Sequence, residues 1–163
     1  MAGATYTPIA TTTVSGTSTA TVTFSSIAGT YTDLILISNP GIVSGSVNDF
    51  LMTFNSDTAN NYSNTYLYGN GTSATSGGSS NQPSALVGRT TTALGTMLLQ
   101  IMNYSNTTTY KTVVERSGAA GNDLLARVNL WRSTAAITSM SFTAGSTSFA
   151  TGSTFTLYGI SSA

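Results

Sequence analysis

The chain contains no histidine and no cysteine, and only five acidic and five basic residues among its 163. Without histidine the commonest general base is absent, and without either residue so are the usual zinc ligands, the thiol nucleophile and the disulfide staple. The five cations, Arg89, Lys111, Arg116, Arg127 and Arg132, are scattered and form no basic run. A scattered set cannot neutralise a line of phosphates, so no nucleic-acid partner is expected. Apolar runs such as residues 34–37 and 97–99 are far too short to span a bilayer as a helix, so no membrane partner is expected either. The first eight residues carry neither a basic stretch nor an apolar one, so no secretory signal is read there. A net charge of zero gives little self-repulsion, and neutrality favours association.

What is present in excess is hydroxyl. The chain has 31 threonines and 24 serines, with 16 glycines punctuating them. Threonine, valine, isoleucine, tyrosine and phenylalanine dominate the regular segments, and such side chains fit a half-buried pleated surface. Residues 19–24 alternate strictly, with Ala20, Val22 and Phe24 on one face and Thr19, Thr21 and Thr23 on the other. Residues 33–38 carry a short continuous apolar run (34–37) between Asp33 and Ser38, and Phe50, Met52 and Phe54 alternate again. Further strands are expected at 66–68, 85–88, 97–104, 110–116, 124–132, 137–143 and 154–160. In 124–132, Ala126, Val128 and Leu130 oppose Arg127, Asn129 and Trp131. No segment carries a helical period.

About nine short strands with Gly-rich turns predict an all-β fold, an antiparallel two-sheet sandwich of jelly-roll type. The expected organisation is an extended N-terminal arm over residues 1–18 and a single sandwich domain over 19–163. One lysine and three prolines protect strand edges poorly. Edges of that kind are expected to be covered by neighbouring subunits.

Candidate sites are few. The acids available for paired-carboxylate chemistry are Asp33, Asp49, Asp57, Glu115 and Asp123, and Glu115, beside Arg116, reads more simply as half of a structural ion pair. No catalytic motif, metal site or cofactor is expected. Residues 55–61 offer oxygen ligands of the kind calcium prefers, but with one carboxylate they read better as a turn. Asn60, Asn61, Tyr62, Tyr66 and Tyr68 make a candidate surface for glycan contact, because tyrosine- and asparagine-rich segments form adaptable binding surfaces at low entropy cost; Tyr66 and Tyr68 serve equally well as one face of a strand packed against the core or a neighbour. Candidate subunit-interface residues are Tyr6, Pro8 and Ile9 of the arm, with Trp131 and Arg132. Trp131 serves equally well as a core residue.

Several phrases have a familiar form: residues 5–16 (TYTPIATTTVSG), 54–57 (FNSD) with 61–63 (NYS), 101–111 (IMNYSNTTTYK), 130–134 (LWRST) and 152–160 (GSTFTLYGI). Together they resemble a β-rich module of tailed-phage virion structural proteins, and the resemblance runs over nearly the whole chain. It implies a structural role without a catalytic motif. The module is expected to stand alone without an anchoring shaft, as a capsid decoration or cement protein. The implied partners are other copies of the chain, as a homotrimer, and the major capsid protein. The implied location is the virion, after synthesis in the host cytoplasm. A tail or fibre protein binding host surface glycans is the alternative, and a glycan-degrading enzyme a more distant third.

Overall fold

A computed structural model describes residues 5–16, 19–119 and 123–161. Its described residues form twelve strands, numbered here in chain order, and no helix. The larger sheet runs, in spatial order, β1 (Tyr6–Thr13), β12 (Thr154–Ile160), β3 (Asp33–Asn39), β8 (Thr96–Met102), β9 (Lys111–Ala119), β10 (Asp123–Trp131), β5 (Tyr62–Gly69) and β6 (Ala74–Gln82). The smaller sheet runs β2 (Thr21–Phe24), β11 (Met140–Thr143), β4 (Asn48–Phe54) and β7 (Ala85–Thr90). Every strand pair is antiparallel, and the chain passes back and forth between the sheets. The architecture is an antiparallel two-sheet sandwich.

Twelve strands stand where about nine are expected, and the two that match none of the expected segments, β6 and β1, have identifiable causes. β6, with the sequence ATSGGSSNQ, has no large apolar side chain, so hydrophobic alternation cannot reveal it; it forms by hydrogen-bonding to β5 at the sheet edge. β1 is the other edge of the large sheet, paired along its length with β12 of the same chain. Residues 6–13 are therefore an edge strand of the sandwich rather than an extended arm; residues 1–4 and 17–18 of the expected arm lie outside the described residues. Pro8, which cannot donate to a ladder, is tolerated at such an edge. A bulge between Pro8 and Ala10 breaks the alternation and leaves Ile9 packed against the core.

Two opposing inner faces make the core. Phe24, Phe50, Met52, Phe54, Val87, Met140 and Phe142 come from the small sheet, and Leu34, Leu36, Met97, Leu99, Ile101, Val113, Phe155 and Leu157 from the large one. At its centre Phe50 stacks on Phe142 with centroids 5.5 Å apart and meets Phe149 edge-on at 5.9 Å. Offset-stacked and edge-to-face pairs of this kind add to the stabilisation from burial.

The large sheet is twice as wide as the small one, and its inner face changes character across its width. One cross-strand row reads Leu157, Leu36, Leu99, Glu115, Arg127, Tyr66, Gly77 from β12 to β6. The first three are apolar and lie under the small sheet. From β9 onward the row is charged or polar, although Glu115 and Arg127 remain buried.

Replacing Phe50 by alanine removes the ring that joins both aromatic contacts. The expected loss is about 3–5 kcal/mol of unfolding free energy in urea titration, with the strand signal in circular dichroism retained.

Candidate functional site

β7, the last strand of the small sheet, lies over β9 and β10, and the β5–β6 hairpin projects beyond it. The gap beneath the hairpin is a cleft of about 430 Å³. Tyr66 and Tyr68 of β5, Thr75 and Ser79 of β6, and Leu125 and Arg127 of β10 line one side, with Leu86 and Arg89 of β7 and Asp49 of β4 on the other. Strand periodicity puts Tyr66 and Tyr68 on one face, and the register sets Thr75 opposite Tyr68 and Ser79 opposite Asn64 on that same face.

Two backbone features shape the cleft. Asp49 pairs with Arg89 and Leu51 with Leu86, so β7 carries one extra residue at this point. Val87 and Gly88 both turn inward at this bulge, and Gly88 takes φ 134°, a backbone state that L side chains rarely adopt. Without the bulge Leu86 and Arg89 would point to opposite faces; with it they line the cleft together. The second feature is Gly77, opposite Tyr66. A Cβ there would lie 2.6 Å from Tyr66 Oη, so glycine makes room for the tyrosine ring.

The cations are held inside this frame. Arg127 lies over the Tyr66 ring at 4.9 Å and Arg89 over the Tyr68 ring at 5.4 Å. Arg127 Nη1 donates to Asn64 Oδ1 at 3.2 Å, and its Nε lies 3.7 Å from Glu115 Oε2. Arg89 Nη1 meets Asp123 Oδ2 at 3.2 Å. The ion pair expected for Glu115 therefore forms with Arg127 across the β9–β10 ladder, while its sequence neighbour Arg116 is exposed on the opposite face. Glu115 is fully buried, and neither of its carboxyl oxygens has a hydrogen-bond partner among the described residues. Burial pushes its carboxyl up to about 7, the nearby Arg127 charge works against the rise, and Asp123 adds to it. Arg127 is shifted down, mainly by burial.

The glycan-contact candidates divide. Tyr66 and Tyr68 meet in the cleft, whereas Tyr62 lies in the core. Tyr62 stacks on Trp131 at 6.3 Å, accepts from Phe54 N at 2.9 Å and donates to the Asp57 carbonyl at 3.1 Å. Asn60 is exposed, and its carbonyl accepts from Arg132 Nη2 at 2.6 Å. Asn61 Nδ2 donates to Asp57 Oδ2 at 2.9 Å. Asp57 also accepts from Trp131 Nε1 at 2.7 Å and Ala59 N at 2.9 Å, so N–H donors occupy its carboxylate and the 55–61 segment is a turn. Burial works to raise the Asp57 carboxyl, but these hydrogen bonds outweigh it and hold the group below its ordinary value. No group of three metal-ligating side chains occurs among the described residues.

The interface candidates divide as well. Trp131 is a core residue, 5.3 Å from the Phe54 ring. Arg132 ties the Asn60 carbonyl to Asn81 of the β6 bulge, at 2.9 Å to Asn81 Oδ1. Tyr6 is exposed and meets Tyr158 edge-on at 6.5 Å, and Pro8 is exposed beside it.

Alternation in β10 has a second consequence. Asp123, Leu125, Arg127, Asn129 and Trp131 turn inward, so Leu124, Ala126, Val128 and Leu130 turn outward. Leu124 is 72% exposed, Leu67 64% and Val128 48%. One outer row across the large sheet reads Ile37, Leu98, Arg116, Ala126, Leu67 from β3 to β5, and the next Ile35, Gln100, Val114, Val128, Thr65. Arg116 is the one charged side chain within these rows, and Asp33 stands at the end of β3. Exposed apolar side chains scattered singly are ordinary, but a contiguous patch on a sheet face marks an interaction surface.

Comparison with protein-family models and with curated proteins finds no match. The Glu115 carboxyl gives the site a pH signature. Between about pH 4.5 and 7 the folded chain keeps a proton that the unfolded chain has released. Stability thus falls as the pH rises through that window, by roughly 3–4 kcal/mol at most. Urea titrations at a series of pH values are expected to show this decline in the parent chain and its loss in Glu115→Gln.

Proposed function

We propose that this chain is a structural component of a phage particle, a capsid decoration or cement protein that reinforces the shell through subunit–subunit contacts. The observation that carries this reading is the outer face of the large sheet, where Leu67, Leu124 and Val128 stand in water while Glu115 and Arg127 are buried. An isolated sandwich gains nothing from that inversion. A sandwich whose sheet is covered by a second copy of the chain gains burial for each of those side chains.

Area supports a second copy as the occupant. Eight strands spaced about 4.8 Å apart, each showing some six residues of about 3.3 Å, make a face of roughly 750 Å². A standard stable interface takes about 800 Å² from each partner. The near absence of charge on the face removes the repulsion that would oppose self-association. The two-sheet fold and the virion-like phrases quoted from the sequence fit the same role. Its mechanism is adhesive: added interface area opposes the outward pressure on the shell and slows its opening. A tail or fibre position in contact with host glycans is the second reading, favoured by the Tyr66–Tyr68 cleft.

Light scattering on the purified chain is expected to give an oligomer at micromolar concentration. Leu124→Glu with Val128→Glu is expected to give a monomer with unchanged circular dichroism, since both side chains are exposed. A parent chain that stays monomeric throughout would sink the self-association step. Added to capsids stripped of decoration, the parent is expected to raise the temperature of genome release and the double variant to fail. Release temperatures unaffected by the parent would remove the shell-stabilising role, and electron microscopy of intact particles distinguishes head from tail.

A further inference from the structure

We infer that the cleft between β7 and the β5–β6 hairpin is a binding site for a saccharide, with one sugar ring seated against Tyr66 and Tyr68. The inference stands whether the particle carries the chain on its head or its tail, and it concerns the sheet face opposite to the proposed assembly surface.

Shape comes first. A cleft of about 430 Å³ falls within the range of small-molecule sites and lies open at the sheet edge. Its walls combine what a pyranose requires. Leu86 and Leu125 present apolar surface for the C–H face of a ring, and the two tyrosines present aromatic surface for stacking. Tyrosine supplies large, rigid, amphipathic contact at low entropy cost.

The polar chemistry fits as well. Among the described residues, the side chains of Asp49, Tyr66, Tyr68, Thr75 and Ser79 make no hydrogen bond within the chain. Four of these are hydroxyls, which both donate and accept, and Asp49 accepts only. Sugar hydroxyls also do both, so this set can pair with them in either sense. A single anion would leave most of these groups unused and would face Asp49 as well as the two arginines. A purely apolar ligand would strand all five.

The rings are also held in advance. Arg127 is buried against Tyr66, anchored by Asn64 and Glu115, and Arg89 is fixed over Tyr68 by Asp123. The bulge at Gly88 and the missing side chain at Gly77 each cost the sheet regularity and serve the cleft. Sites that bind well are those whose contacts are ordered before the ligand arrives.

The test is saturation-transfer NMR and titration calorimetry on the full chain. The probes are methyl glycosides of glucose, galactose, N-acetylglucosamine and glucuronic acid, together with the trisaccharides maltotriose and chitotriose. At least one probe is expected to bind saturably at millimolar concentration. Tyr66→Ala and Tyr68→Ala are each expected to weaken it by about tenfold. Ser79→Trp, made on the exposed edge strand, is expected to fill the cleft and abolish binding without altering thermal unfolding. Leu124→Glu, on the opposite face, is expected to leave binding unchanged while it acts on assembly, which keeps the two readings separable. No binding by any probe, or binding that survives Ser79→Trp in a folded protein, overturns the inference.

Discussion

The Glu115–Arg127 pair, buried across the β9–β10 ladder with 3.7 Å between Glu115 Oε2 and Arg127 Nε, is the constraint on which the rest of the large sheet depends. It stands where the small sheet ends and the inner face stops being apolar. Burying two charges costs several kcal/mol per ion, and their attraction offsets this only when the geometry is good. Here the separation is long, both Glu115 oxygens lack a hydrogen-bond partner among the described residues, and burial drives the carboxyl up to about 7. A Leu–Met pair would be expected to hold the two strands together as well or better. The pair is better understood through what it positions: Arg127 reaches on from Glu115 to Asn64 and to the face of Tyr66, tying three strands into one polar layer.

That layer fixes the outside of the sheet as firmly as the inside. Strand side chains alternate, so turning Arg127 and Asn129 inward obliges Ala126, Val128 and Leu130 to turn outward. A slip of one residue in β10 would restore the usual arrangement, with the apolar set inside. Neighbours prevent it. Trp131 must reach Phe54, Tyr62 and the Asp57 carboxylate, and a slip would carry the indole to the solvent side. The Asp57 turn is a register lock on β10, holding a polar cleft on one face and an apolar surface on the other.

This also explains which parts of the molecule are legible in its sequence. The all-β class, the sandwich and most strands follow from alternation, as with Val22 and Phe24 or Phe50, Met52 and Phe54. In 124–132 alternation correctly separates the two faces, but it does not say which is inward, because hydrophobicity alone would choose the wrong one. Tyr66 and Tyr68 share a face by spacing alone, while their meeting with Arg89 depends on a bulge opposite Asp49, which local pattern does not encode. Gly88 was the available signal, a glycine inside a strand of larger residues. Proximity in sequence sets Tyr62 beside the other tyrosines. Its parity places it on their face, but Phe54 and Trp131 cover it, so it belongs to the core.

The two surfaces answer different physical demands. The outer face has area, apolar side chains and almost no directional chemistry, which suits a broad, permanent contact. The cleft has little area, but it has free hydroxyls and two rings clamped by cations, which suit a small ligand held by orientation. One strand, β10, supplies residues to both, so its register is a shared requirement. Moving Arg127 out of the cleft would at the same time take Val128 off the outer face. A substitution in β10 that disturbs one face is therefore expected to disturb the other, and the buried ion pair is tied to both through that shared register.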